Sequence, residues 1–158
     1  TYTHLYGLQT VGLRFFTVYG PWGRPDMALY LFTSAMLAGK PIKVFNHGHM
    51  ERDFTYIDDI VDGVTASLTA PELNPCEVIN LGNHRPEKLM DMIAMLGRAL
   101  GVKPEMEMLP MQPGDVPATY ADIGRASEKL GFEPKTPLSE GIPRFVDWYR
   151  EYHGTRED

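Results

Sequence analysis

One stretch constrains the fold of this chain most strongly, because a strand pattern gives way there to a rigid loop. Residues 9–16 are mostly β-branched, apolar or aromatic, so we predict a strand that is buried on both faces. Gly20 allows a turn where a Cβ would strain the backbone, and Pro21 cannot donate to a ladder. A helical pattern then begins at Asp26, the candidate N-cap. This order is typical of the carboxyl edge of an open α/β sheet, where ligands bind.

Strand and helix patterns alternate along the rest of the chain, which indicates an α/β fold. Apolar spacing and turn residues predict further strands over 42–45, 53–56, 77–81 and 105–109, the last half-exposed. They predict helices over 1–6, 27–37, 60–68, 89–100, 123–130 and 138–152, and a frayed tail over 153–158. Asp58 or Asp59 is the expected cap of the third helix.

Composition excludes several classes of function. A formal charge of −6 over 158 residues argues against nucleic acid or an anionic membrane as a general partner. No apolar run reaches membrane-spanning length, and the single cysteine, Cys76, fits a reducing cytoplasm. His47 and His49 have no third ligand nearby, so we predict no metal site.

Four motifs, in order along the chain, together resemble one known family. They are Arg14-Phe-Phe-Thr-Val-Tyr-Gly-Pro-Trp-Gly-Arg-Pro-Asp-Met27; Lys43-Val-Phe45 followed by Arg52-Asp-Phe-Thr-Tyr-Ile-Asp-Asp59; Val78-Ile-Asn-Leu-Gly82; and Pro113-Gly-Asp115 with Tyr120-Ala-Asp122. These motifs resemble those of the extended short-chain dehydrogenases/reductases, the NAD-dependent epimerases and dehydratases, and within that family those of the UDP-glucuronate 4-epimerases. The resemblance extends over nearly the whole chain.

The resemblance implies that residues 1–158 are the C-terminal, substrate-binding portion of such an enzyme. The strands near 9–16 and 77–82 would be the last strands of a Rossmann sheet, and the remainder a small mixed α/β substrate-binding domain. The family's Gly-rich loop and its Tyr-x-x-x-Lys pair are expected upstream of Thr1, so we expect no catalytic residue here and no activity from the chain alone. The full-length protein is expected to be a cytoplasmic homodimer.

The resemblance also implies a UDP-sugar site and one end of an NAD site. Thr17 would contact the sugar, Arg24 a C6 carboxylate, and Arg52 the diphosphate. The other implied substrate contacts are Asp26, Met27, Lys43 and Phe45 around the uridine, Asp115 at the ribose, and Gln112, where relatives commonly have Arg. The implied cofactor contacts are Tyr19 and Pro21.

The residues by themselves leave simpler roles open. Arg24 reads equally as a solvated surface arginine, and Arg52 as a surface ion-pair partner of Asp53. Met27 is of a type that more often fills a core, and Thr17 of a type that packs in a strand.

The implied reaction is the NAD-dependent interconversion of UDP-glucuronate and UDP-galacturonate. The alternatives within the family are UDP-glucose 4-epimerase, nucleotide-sugar 4,6-dehydratase and UDP-glucuronate decarboxylase. A further alternative, from another class, is a non-catalytic nucleotide-sugar-binding module.

Overall fold

A computed structural model of the chain describes residues 1–71 and 73–154. The helices are α1 (Tyr2–Tyr6), α2 (Ala28–Leu37), α3 (Ile57–Thr69), α4 (Leu89–Leu100), α5 (Gly124–Leu130) and α6 (Leu138–His153). The strands are β1 (Thr10–Phe15), β2 (Thr17–Tyr19), β3 (Ile42–Val44), β4 (Glu51–Arg52), β5 (Phe54–Tyr56), β6 (Cys76–Leu81), β7 (Glu87–Lys88) and β8 (Met106–Met108). A 3₁₀ turn over Phe45–Gly48 follows β3. Within the described ranges, no helix combines the length and apolar character that a membrane span requires.

The strands pair two by two. β1 pairs with β6, β2 with β5 and β3 with β8, all in parallel, and β4 pairs with β7 in the antiparallel sense. Parallel partners need long crossover connections, and helices lie in the chain between the members of each of these pairs. This mixed α/β arrangement agrees with the predicted fold class.

Two hydrophobic clusters form the core. The larger one joins α2, α4 and α6 to β3 and β5, with Phe145, Met92 and Ile42 almost completely buried. The smaller one packs α3 and α5 against β6 through Ile60, Phe132 and their neighbours. Side chains on α2 and α4 recur at helical spacing, so each helix presents an apolar face to the larger cluster.

The prediction of a first strand buried on both faces is wrong. The residues of β1 are half-buried or exposed, and Phe15 is 48% exposed. Among the described residues β1 pairs only with β6, which leaves its other edge and part of its surface open. The strand predicted as half-exposed over 105–109 is β8, which is shorter, and all of its residues are exposed; among the described residues β8 pairs with β3 alone.

The first strand pattern also divides at Phe16. The Phe16 N–H donates to Leu81 O at 3.2 Å, and the Thr17 N–H donates to Asp53 O at 3.1 Å. The chain therefore leaves the β1–β6 pair between these two residues and begins β2 beside β5. Thr17 opens a second strand rather than closing the first, opposite Phe54.

The predicted aspartate caps are wrong. The residue before α2 is Met27, and no side chain caps that helix, because the Asp26 carboxylate is engaged by Arg24. Tyr56 precedes α3, and Asp58 and Asp59 lie in its first turn. Asp59 instead accepts hydrogen bonds from the Thr136 N–H and hydroxyl. Helix α6 continues to His153 and Gly154 terminates it, while residues 155–158 of the predicted tail lie outside the described ranges.

Candidate functional site

A large cavity in the described part of the chain has a volume of about 610 Å³. Residues of helix α2, of β3, of the start of β5 and of the loop before Pro117 line it. Eight of the nine predicted substrate-binding residues line it: Thr17, Asp26, Met27, Lys43, Phe45, Arg52, Gln112 and Asp115. The tertiary structure thus gathers, around one cavity, residues that extend over almost a hundred positions of sequence.

Arg52 is held in the cavity wall by several partners. Its Nη2 donates to Asp115 Oδ1 at 2.6 Å, and its Nη1 donates to Glu51 O at 2.8 Å and Pro117 O at 3.3 Å. The Arg52 side chain is only 17% exposed. A guanidinium fixed in this way presents a directed cation to an anionic ligand at little further cost in side-chain entropy. The simpler prediction, an ion pair with Asp53, is wrong, since Asp115 is the partner.

The remaining polar groups balance the charge of the cavity. Lys43 contributes a second cation, and Asp26 and Asp115 contribute two carboxylates. Gln112 also lines the cavity, and its backbone carbonyl accepts a hydrogen bond from the Asp115 N–H at 3.2 Å across the Pro113-Gly114 turn. Because Asp115 already neutralises Arg52, a diphosphate entering this cavity would compete with a carboxylate for the same guanidinium.

Arg24 is the one predicted substrate residue that does not line the large cavity. Its Nε donates to Asp26 Oδ1 at 3.0 Å and its Nη2 to Oδ2 at 2.5 Å, a two-pronged pair on the surface. This hydrogen bonding raises the pKa of Arg24 and lowers the pKa of Asp26. Asp26 itself lines the large cavity, so the Arg24 guanidinium contacts a residue of the cavity wall without lining the cavity.

A second cavity of about 370 Å³ opens on the other side of the loop over 20–27. Pro21, Arg24 and Tyr19 are among its lining residues, with the apolar side chains of Phe16 and Ile57. Tyr19 is only 5% exposed, and its ring packs edge-on against Phe54 and Tyr56. Its hydroxyl is buried without a hydrogen-bond partner, and burial raises its pKa. The Tyr19 side chain is therefore part of the hydrophobic core.

Sequence reasoning missed Asp53 as an organising residue beside the site. It is completely buried, and its carboxylate accepts four hydrogen bonds, from the Thr55 hydroxyl and the N–H groups of Asn83, His84 and Ala121. It therefore joins β5 to the loop after β6 and to the segment before α5. The only signal in the sequence is an acidic residue inside a buried strand, where an ionised group needs several donors.

No group of three or more side chains suited to a metal ion occurs within residues 1–71 and 73–154. His47 lies in the 3₁₀ turn after β3 with a left-handed backbone, φ 50°, as does the preceding Asn46. The prediction of no metal site at His47 and His49 stays a prediction.

Comparison with known proteins assigns the family. The model of the NAD dependent epimerase/dehydratase family matches residues 1–82. The chain belongs to the NAD dependent epimerase/dehydratase family. The matched range includes the loop over 20–27, Arg52 and all of β6, so it contains most of the residues that line the cavity described above.

Individual members of this family are similar over almost the whole chain. UDP-glucuronate 4-epimerase 4 of Arabidopsis thaliana is 48% identical over 97% of this chain and 38% of its own. Protein CapI of Staphylococcus aureus is 44% identical over 97% of this chain and 51% of its own. The structure of UDP-glucuronic acid 4-epimerase from Bacillus cereus in complex with UDP-glucuronic acid and NAD superimposes with a TM-score of 0.88 at 38% identity, over 96% of this chain and 48% of that chain. The chain thus spans about half the length, or less, of the relatives it matches.

Proposed function

We propose that this chain is the UDP-sugar-binding portion of an NAD-dependent UDP-glucuronate 4-epimerase, which interconverts UDP-glucuronate and UDP-galacturonate. The observation that supports it best is the cavity of about 610 Å³ with a pre-aimed Arg52, formed by eight of the residues expected to contact a UDP-sugar. The names and ligands of the similar proteins point to the same substrate.

Each part of the substrate has a complementary group in the proposed site. The diphosphate lies against Arg52, the ribose near Asp115, and the uracil between Lys43 and Phe45, with Asp26, Met27 and Gln112 completing the nucleotide pocket. Thr17 offers a short hydroxyl to the sugar. Arg24 releases the Asp26 carboxylate and binds the C6 carboxylate of the sugar, so one anion replaces another on the same guanidinium fork.

We propose that one end of NAD, with its aromatic ring, binds in the second cavity. Pro21 and Ile57 give it apolar walls. Gly20 also lines it and, at φ 139°, has no room for a Cβ beside Ile57. The bound cofactor supplies the hydride chemistry. We assign the Tyr-x-x-x-Lys pair and the Gly-rich loop to another part of the full-length protein. We propose that this protein is a homodimer in the cytoplasm, by resemblance to the family.

The test is a panel of substrates offered to the full-length protein with NAD⁺. We expect UDP-glucuronate and UDP-galacturonate to interconvert, detected by anion-exchange chromatography, with UDP-glucose converted much more slowly. Preferred turnover of UDP-glucose indicates a UDP-glucose 4-epimerase, and release of CO₂ from UDP-glucuronate indicates a decarboxylase. Tight UDP binding with no turnover of any sugar indicates a binding module.

A further inference from the structure

The loop over 20–27 contacts α6 through the exposed aromatic side chain of Trp22. The Trp22 ring lies 5.5 Å from that of Trp148 and 5.1 Å from that of Tyr152, measured between ring centroids. Trp148 and Tyr152, one turn apart on α6, are themselves stacked at 5.3 Å. By contrast, the backbone hydrogen bonds from Gly23 to Gly20 O and from Met27 to Arg24 O both remain inside the loop.

Two features of Trp22, its left-handed backbone and its high exposure, indicate that the ring contacts with α6 hold the loop in place. Trp22 has a backbone φ of 62°, a left-handed conformation that a bulky side chain adopts only when its surroundings impose it. Its side chain is nevertheless 75% exposed, so burial contributes little and the ring contacts with α6 provide the hold. The buried Trp148 indole N–H has no hydrogen-bond acceptor, which leaves ring packing as the interaction on that side.

We propose that Trp22 is a positioning residue, which anchors the loop to α6 and thereby sets the place from which Arg24 exchanges Asp26 for the substrate carboxylate. Arg24 lies only two residues after Trp22, and between them there is only Gly23. The position of the Trp22 backbone therefore limits where the backbone of Arg24 can lie. The proposal rests on the proposed function for its consequence, since the carboxylate belongs to a uronic acid.

The anchor predicts a specific kinetic pattern in the full-length protein. Because an aromatic pair stabilises by a modest amount, Trp22→Ala and Tyr152→Ala should each lower kcat/KM for UDP-glucuronate by about two- to tenfold. The double variant should lose no more than the larger single loss, because both changes break the same contact. Trp22→Phe should retain most of the activity, and Leu68→Ala, an exposed apolar residue on α3, is the matched control. UDP binding should remain unchanged in all of them.

A readout that is independent of turnover tests the contact itself. In full-length protein labelled with 5-fluorotryptophan, ¹⁹F resonances of Trp22 and Trp148 are assigned by the variants Trp22→Phe and Trp148→Phe. We expect Tyr152→Ala to shift the Trp22 resonance, and UDP-glucuronate to shift it further than UDP does. A Trp22 resonance unaffected by Tyr152→Ala overturns the anchor.

The two proposals fail in different ways. Failure of the proposed function shows in the wild-type protein, as absence of uronate epimerisation, whatever the ¹⁹F spectrum. Failure of the anchor shows as normal wild-type turnover with additive effects of Trp22→Ala and Tyr152→Ala, or with no effect of either variant on kcat/KM.

Discussion

Arg52 and Asp115, which are 63 positions apart in sequence, form a 2.6 Å ion pair in the wall of the cavity of about 610 Å³. The pair makes the cavity nearly neutral before a ligand enters. Under the proposed function, the affinity for a diphosphate would depend on two side chains, the cation that attracts the phosphates and the carboxylate that competes with them.

Arg52→Ala should weaken binding of UDP by about 1.5–3 kcal/mol, or roughly ten- to a hundredfold. The variant removes the charge-assisted bonds and leaves Asp115 uncompensated beside the phosphates. Isothermal titration with UDP measures the change. The double variant Arg52→Ala, Asp115→Asn should recover part of the loss, since it removes that repulsion. An unchanged UDP dissociation constant in Arg52→Ala would place the phosphate site elsewhere.

Arg24→Ala should reduce kcat/KM for UDP-glucuronate about tenfold or more relative to UDP-glucose, which has no carboxylate to bind. Binding of UDP alone should not change. Arg24→Lys should restore part of the rate by charge but not the fork geometry. Asp26→Asn releases Arg24 and should not reproduce the loss of selectivity. Equal losses for both sugars in Arg24→Ala would contradict a carboxylate contact.

Tyr19→Phe should stabilise the protein by about 1 kcal/mol, because it removes a buried hydroxyl that has no partner. The ring contacts with Phe54 and Tyr56 remain. NAD affinity should be unaffected, since the Tyr19 side chain is packed in the core. The matched variant Gly141→Ala places a Cβ against the Tyr19 hydroxyl and should be destabilising, less so when combined with Tyr19→Phe. Urea unfolding gives the stabilities, and a destabilising Tyr19→Phe would show that the hydroxyl is bonded.

Asp53→Asn should destabilise the protein by about 3–5 kcal/mol. The amide nitrogen would face N–H groups that now donate to a carboxylate oxygen, so buried donors would lose their acceptor. Asp122→Asn is the control, because the exposed Asp122 carboxylate accepts one bond, from the Gly124 N–H. Similar unfolding midpoints for the two variants would refute the organising role of Asp53.

Stability at acid pH should depend on Glu77. The Lys129 ammonium, 3.0 Å away, lowers the pKa of the Glu77 carboxyl, with help from Asn74. A depressed folded-state pKa contributes stability that is present above the unfolded-state value and is lost as the pH falls through the folded-state value. Glu77→Gln should therefore make unfolding less sensitive to pH below the ordinary carboxyl range. Glu128→Gln, on the exposed side of α5, should leave that sensitivity as in the wild type.

The course of the chain from β1 to β2 illustrates which features local sequence patterns predict and which depend on tertiary contacts. Alternation of strand and helix patterns was sufficient to predict the α/β class and most helices, and the family resemblance placed the strands near 9–16 and 77–82 in one sheet. Local patterns did not reveal that the strand divides at Phe16, because each residue there suits a strand equally well. The division depends on Leu81 and Asp53, which accept the N–H groups of consecutive residues.

The same distinction holds for charged side chains. Asp26, Asp58 and Asp59 are good helix caps by local preference, yet Arg24 and Thr136 provide partners that compete successfully for two of them. Pairing energies of charged groups depend on distance and burial, and neither is a property of the local sequence.

By itself the sequence determined the α/β class, the rigid loop over 20–27 and the motifs that resemble one family, because periodicity, turn chemistry and motifs are local. Only the tertiary structure decided that Arg52 pairs with Asp115, that Arg24 lies outside the cavity on Asp26, and that Asp53 joins three segments. Those outcomes depend on which distant side chains meet, and on the burial that makes an unpaired charge costly.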